Sequence, residues 1–163
     1  MRPHANTLKL TTPSDLEIVF TREFNAARHL IWEAHTKPEL VKCWLLGPDG
    51  WTMPVCEIDL RVGGAMRYVW RHADGREMGV GGKFIKVDPV SRLAWTEKFD
   101  EPWYPGEAVN DMLLEDLGGR TRMTVTNSYE SKEARDVALK SGMDEGLAAG
   151  YDNLERMLAN PEA

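Results

Sequence analysis

Cysteine is scarce in this 163-residue chain, and the two that occur exclude most of the chemistry cysteine brings. Cys43 and Cys56 have no CxxC spacing and no histidine beside them in a recognisable context. A zinc site, a redox pair and a thiol nucleophile therefore have no support, and two unpaired thiols are a simpler reading than a disulfide. Basic residues are also in deficit: 20 Lys and Arg face 26 Asp and Glu, a net charge of −6, with both signs mixed along the chain. No polybasic face exists for a nucleic-acid backbone or an anionic membrane. Long apolar runs are missing as well. The opening "MRPHANTLKLTTPSD" lacks an apolar core of signal-peptide length, and no later run approaches the roughly 20 residues of a membrane span. The expected partners thus include neither nucleic acid nor membrane, and the expected location is cytoplasmic.

Catalytic signatures are equally thin. The four histidines, His4, His29, His35 and His72, show no i, i+4 pair, and no Cys or carboxylate completes a ligand set, so solvated surface histidines, no metal and no cofactor are expected. The GxSxG elbow of a serine hydrolase is missing. "GVGGKF", residues 79 to 84, lacks the Gly-Lys-Ser/Thr that opens a helix in a phosphate-binding loop. Gly79, Gly81 and Gly82 instead suit a bulge or sharp bend in a strand.

What the chain does contain is ordered periodicity. With 42% hydrophobic and 28% charged residues it has the composition of an ordinary globular domain, and its length suffices to bury roughly two thirds of the unfolded surface. After a flexible tail over residues 1–14, "LEIVFTREF" from Leu16 alternates as a strand. "NAARHLIWEAHT" places Ala27, Leu30, Ile31 and Ala34 on one helical face, with Asn25 as the candidate cap, and Pro38 opens a second short helix, "PELVKCW". From Trp51 to Tyr129, short β-patterned runs are separated by "RVGG", "HADG", "VDPVS", "PWYPG" and "LGG", which predicts six further antiparallel strands. Ser131 to Asn160 carries one long helical pattern with Ser131 as cap, Glu133 in the first turn, an apolar stripe through Leu139, Met143, Leu147, Leu154 and Leu158, and Pro161 as its stop. The order is β-α-α-β6-α, an α+β domain over residues 15–160. A curved sheet and one long amphipathic helix bury both apolar faces when the sheet wraps the helix, and the space between them is a candidate cavity.

The chain resembles the START-like, or SRPBCC, superfamily with its Bet v 1-like helix-grip fold, and within it the activator of heat-shock-protein-90 ATPase homologue family. The resemblance runs from about Leu16 to Leu158. It is carried by "REFNAARHLIWEAHTKPELVKCW", "GPDGWT", "DLRVGG" followed by "MRYVW", "GGKFIKVDP", "WTEKF", "GGRTRMTVT" and "GMDEGLAAGYDNLERML". It implies a curved seven-stranded antiparallel sheet around a long C-terminal helix, with two short helices after the first strand. It also implies lipid or other hydrophobic ligand binding, polyketide cyclase-like activity in some members, and modulation of a chaperone ATPase in the founders of the family.

Within that frame the two-residue period of a strand selects candidates. Met66, Tyr68 and Trp70 alternate with Arg67, Val69 and Arg71; Met78, Val80 and Phe84 repeat the pattern, and Met112 and Leu114 share a face. Six tryptophans and eight methionines are many for so small a core and suit an adaptable apolar pocket. If Leu93, Trp95 and Phe99 turn inward, Glu97 does too, either as a general acid or base with a raised pKa or as the partner of an inward arginine or of water at the cavity mouth. Asn110 and Asn127 would join it, and a one-residue slip would turn all three outward. Asp59 and Arg61, two apart beside Gly63 and Gly64, read as a structural ion pair at a tight reversal. Gly142, Gly146 and Gly150 form a ridge spaced by four, at about 1 kcal/mol each against alanine. Close seating of the helix, room for a ligand and a contact for a second subunit are the competing readings. The candidate ligand-binding set is Met66, Tyr68, Trp70, Met78, Phe84, Trp95, Glu97, Met112, Met143 and Gly146, with Glu97 the one catalytic candidate. The expected function is carriage or sensing of a small hydrophobic molecule, the alternative a cyclase or hydrolase-type enzyme, and after it modulation of a chaperone ATPase. An edge strand or the exposed side of the terminal helix would serve a homodimer.

Overall fold

A computed structural model describes residues 7–46 and 49–159. Among them, eight strands form one antiparallel sheet: β1 (Lys9–Thr11), β2 (Glu17–Phe24), β3 (Trp51–Ile58), β4 (Ala65–His72), β5 (Glu77–Asp88), β6 (Arg92–Phe99), β7 (Ala108–Asp116) and β8 (Thr121–Ser128). Helices α1 (Arg28–Thr36) and α2 (Pro38–Trp44) follow β2, and α3 (Lys132–Lys140) and α4 (Met143–Ala159) follow β8. The spatial order β1-β2-β8-β7-β6-β5-β4-β3 makes the last six strands a meander whose final member pairs with β2. The α1–α2 segment therefore carries the chain from β2 to β3 at the far edge of the sheet. This is the α+β, Bet v 1-like architecture, with eight strands where seven are expected. The extra strand is β1, which pairs Lys9–Thr11 with Thr21–Val19 and so draws part of the expected tail into the sheet. A strand of three residues has no period to read, which is why the pattern misses it. His4 and Pro161 lie outside the described residues.

Alternation builds the inner face. In β2, Ile18, Phe20, Arg22 and Phe24 are buried while the residues between them are half-buried. In β8, Thr121, Met123, Val125 and Asn127 repeat this, and in β7 so do Ala108, Asn110, Met112 and Leu114. The pleat sends all of them to the side on which α4 packs, where Phe24 and Tyr151 meet edge to face at 5.9 Å. The N-cap of α1 is Ala27 and makes no side-chain cap. Asn25, the expected cap, instead accepts from Arg120 Nε. Pro38 does open α2, at a position where its missing N–H costs nothing.

The expected single C-terminal helix is two. Ser131 caps α3 as anticipated, its Oγ accepting from the Ala134 amide at 3.1 Å. The helix then stops at Ser141, and Gly142 takes φ +83°, a left-handed conformation that only glycine adopts freely. The glycine ridge thus dissolves into three separate roles. Gly142 is the break; Gly146 faces open space; Gly150 packs on α2, where a Cβ would make an ordinary contact 3.5 Å from the Trp44 carbonyl oxygen and a larger side chain would not fit. Trp44 stacks on Tyr151 at that contact, with ring centroids 5.4 Å apart, and its Nε1 donates to the Ala34 carbonyl.

Close backbone approach accounts for two glycines of the sheet region, one in a turn and one in a strand. At the β3–β4 reversal a Cβ on Gly64 would fall 2.0 Å from Asp59 O, and on β5 a Cβ on Gly82 would fall 1.7 Å from Thr96 O. The β5–β6 register shifts nearby, between Phe84 and Lys86, which is the bulge the glycines suggested. The Asp59–Arg61 pair closes at 2.9 Å, but both side chains are at least half exposed, so water screens most of its value.

Candidate functional site: a cavity between sheet and helix

Between the inner face of the sheet, α2 and the first half of α4 lies a cavity of about 230 Å³. Its walls are aromatic and aliphatic. Tyr68 and Trp70 come from β4, Phe84 from β5, Trp95 from β6, Trp44 from α2, and Trp103 from the β6–β7 connection. Two hydrogen bonds fix the α2 side, where Trp70 Nε1 donates to Leu45 O at 2.8 Å and Trp44 Nε1 holds α1.

The polar part of the lining is small and connected. Glu97 Oε2 accepts from the Tyr104 hydroxyl at 3.0 Å, and Glu97 Oε1 accepts from Asn110 Nδ2 at 2.9 Å. Asn110 Oδ1 in turn accepts from Asn127 Nδ2. The three residues meet because β6, β7 and β8 are neighbours in register, with Asn110 directly opposite Asn127 and Glu97 opposite Ala108. Burial pushes the Glu97 carboxyl above its ordinary range, and the bonds from Asn110 and Tyr104 act against that rise. Burial likewise raises the phenols of Tyr68 and Tyr104, with the Glu97 charge adding to both. Among the described residues that line the cavity there is no lysine or arginine. Of the alternatives for Glu97, an arginine partner is not found: a phenol and an amide bond it instead.

His35 completes the lining. Its Nδ1 lies 2.8 Å from Ile31 O, one helical turn back, and its ring meets Trp44 edge to face at 4.9 Å. Burial pulls its pKa from the ordinary 6.5 down to about 4, so the ring is neutral near pH 7. The expectation of solvated histidines fails here, because the helical period that buries Ile31 carries His35 to the same side. His29 is exposed, as expected.

Of the candidate residues, Met66, Tyr68, Trp70, Phe84, Trp95, Glu97, Met112 and Met143 border the cavity, and Asn110 and Asn127 do so too. Met78 and Gly146 do not. Met78 pairs with Trp70 near the β4–β5 turn, is 41% exposed, and borders a separate depression with Arg67, Val69 and Asp100. Gly146 precedes Leu147 by one position and so is turned about 100° from it around α4, where an added Cβ meets nothing within 4 Å. Met143, Leu147 and Tyr151, spaced by four, are the α4 residues that border the cavity. Periodicity misses Tyr104, which lies in irregular chain, and Trp44, whose role depends on how α2 packs on α4.

Among the described residues no group of three or more His, Cys, Asp or Glu is gathered as metal ligands, and no helix is long and apolar enough to cross a membrane. Cys43 and Cys56 are both free.

The family model described as Activator of Hsp90 ATPase homolog 1-like protein matches residues 25–159. The chain belongs to that family. A crystal structure of a Rhodobacter sphaeroides protein is 32% identical, with a TM-score of 0.90 over 94% of this chain and 99% of that one. A Nitrosomonas europaea protein is 27% identical, with a TM-score of 0.81 over 93% and 99% of the two chains. A Mycobacterium smegmatis protein is 25% identical, with a TM-score of 0.79 over 92% and 97%. No curated protein matches the chain. The three solved structures therefore share this fold along nearly their whole length.

Proposed function

We propose that this protein encloses a small, largely apolar molecule between the sheet and α4, as a carrier or sensor. The observation that carries the reading is the cavity itself: about 230 Å³ of space between sheet and helix, lined by aromatic and aliphatic side chains. Protein interiors leave few voids larger than a water molecule, so a space of this size is a feature of design rather than of loose packing. Family membership agrees with a ligand-binding fold. N-phenyl-1-naphthylamine, a neutral fluorescent probe of suitable size, should bind the purified protein and brighten as it leaves water. Met66→Trp, which fills the cavity from β4, should abolish that signal while circular dichroism stays unchanged. Failure of the probe to bind, or equal binding by the folded Met66→Trp variant, would remove the basis of this reading.

A second reading has its own support in Glu97, a carboxyl raised by burial and bordering the same cavity. Such a group suits proton transfer to or from an enolisable ligand, as a cyclase or hydrolase-type reaction needs. Glu97→Gln separates the two readings: a carrier keeps its ligand and has no turnover to lose, whereas an enzyme keeps its ligand and loses turnover.

A further inference from the structure

Glu97 is the one carboxyl on the cavity lining, and among the described residues no lysine or arginine lines the cavity beside it. The fold pairs its other inward charges: Arg22 meets Asp152 and Glu155, and Arg135 meets Asp136. Glu97 keeps accessible surface where a core residue would have none, and so do Trp95 and Phe99, which border the same space. Its two hydrogen bonds hold it as an acceptor. An amide nitrogen only donates, so Oε1 accepts from Asn110 Nδ2, while Oε2 accepts from the Tyr104 hydroxyl. A carboxylate has about four acceptor sites, so each oxygen keeps a free lone pair. Trp95 and Phe99 stand two residues to either side of Glu97 on β6 and share its face of the sheet, about 7 Å away along the strand. Trp103 packs edge to face on Phe99, with ring centroids 5.5 Å apart. An acceptor-rich group with unused lone pairs thus lies among rings whose faces attract positive charge.

Resting on the reading that the cavity encloses a ligand, we propose that this ligand is an organic cation, an apolar body carrying a protonated amine, with Glu97 as its counter-ion. The ammonium donates to the free lone pairs of the carboxylate, and the rings of Trp95, Phe99 and Trp103 surround the charge. Without such a partner the carboxyl is driven toward its protonated form by burial; a bound cation reverses that drive. A ligand carboxylate meets the same charge in Glu97 and finds no lysine or arginine in the described lining. The net charge of −6 draws cations toward the protein as a whole, so attraction to the surface and pairing with Glu97 have to be told apart.

The test is calorimetric titration of the full chain, near neutral pH, with three compounds of one shape: 2-naphthylmethylamine, which is protonated there, 2-naphthylmethanol and 2-naphthoate. The amine should bind about ten- to a hundredfold more tightly than the alcohol, the range expected for a hydrogen bond to a charged group, and the naphthoate should bind most weakly. It should also displace N-phenyl-1-naphthylamine, which places it in the cavity and not on the acidic surface. In Glu97→Gln the amine should fall to the affinity of the alcohol, and the alcohol should stay enclosed as before. Alcohol or naphthoate binding as tightly as the amine overturns this inference while leaving enclosure of a ligand intact, and it does so without any variant. Amine that binds without displacing the fluorescent probe, or that keeps its full advantage in folded Glu97→Gln, overturns it as well. Binding of none of the three overturns the enclosure reading, and this inference with it.

Discussion

Arg22 on β2 and Asp152 on α4 join sheet to helix through a 2.8 Å ion pair in which the guanidinium is 3% exposed and the carboxylate 53%. Glu155 adds a second contact to the same guanidinium at 3.1 Å, and the Phe24 ring lies 5.1 Å from its central carbon. The charge that burial has placed at risk is therefore the arginine's. Removing it should cost more than removing its exposed partner. Arg22→Ala is expected to lose about 3 kcal/mol of unfolding free energy, since it empties a packed site between sheet and helix. Asp152→Asn is expected to lose less than about 1 kcal/mol. Urea denaturation of the two variants checks the order, and equal losses would show that the pair matters more than the burial of either member.

The three glycines of the C-terminal segment should give three different results. Gly142→Ala forces a side chain into a left-handed conformation and should destabilise by about 1 kcal/mol. Gly146→Ala meets open space inside a helix and should stabilise by up to about 1 kcal/mol. Gly150→Leu drives into Trp44 and should cost about 1–3 kcal/mol, with loss of the near-ultraviolet signal from the Trp44–Tyr151 stack. Thermal melts of the three variants, read by sign alone, decide the matter.

Gly82 has no room at all. A Cβ 1.7 Å from Thr96 O requires β5 and β6 to separate, and both are backbone at that point. Gly82→Ala is expected to destabilise by about 3 kcal/mol or more, whereas Gly75→Ala, at a turn where a Cβ meets nothing, should show only the mild penalty of its positive φ.

Acid should find His35. Its pKa in the fold is about 4 against the ordinary 6.5, so on acidification the unfolded chain takes up the proton first. The stability held by this group is complete above about pH 6.5 and is lost as the pH falls toward 4, by about 3 kcal/mol in all. Glu97 acts in the opposite sense, because a raised carboxyl pKa favours the folded state at low pH. Comparison of the wild type with His35→Phe cancels the Glu97 contribution. Unfolding free energies measured across this range should fall more steeply with acid in the wild type; parallel curves would show that His35 titrates as if exposed.

How much of this was legible in the amino-acid order depended on where each residue lies. Glu97, Asn110 and Asn127 could be placed on one face because strands have a strict two-residue period, and the register of β6, β7 and β8 then brings them together. The same rule chose Met66, Tyr68 and Trp70. It also chose Met78, since a period gives a side chain's direction but not where a cavity ends. His35 is not legible, because a lone polar residue on a helix reads as solvent-facing until its helix is packed. Tyr104 lies in a segment without regular structure, so nothing in its spacing points toward Glu97. The break at Gly142 was hidden because the apolar stripe continues across it, and backbone handedness leaves no trace in a hydrophobic pattern.

The aromatic wall has an optical consequence. Four of the six tryptophans, Trp44, Trp70, Trp95 and Trp103, border the cavity, while Trp32 is packed into the core and Trp51 lies on the edge strand. Most of the ultraviolet emission of the protein therefore originates within contact distance of whatever occupies that space. The chain carries its own reporter, and a change in its native fluorescence would announce an occupant without a label and before that occupant has been identified.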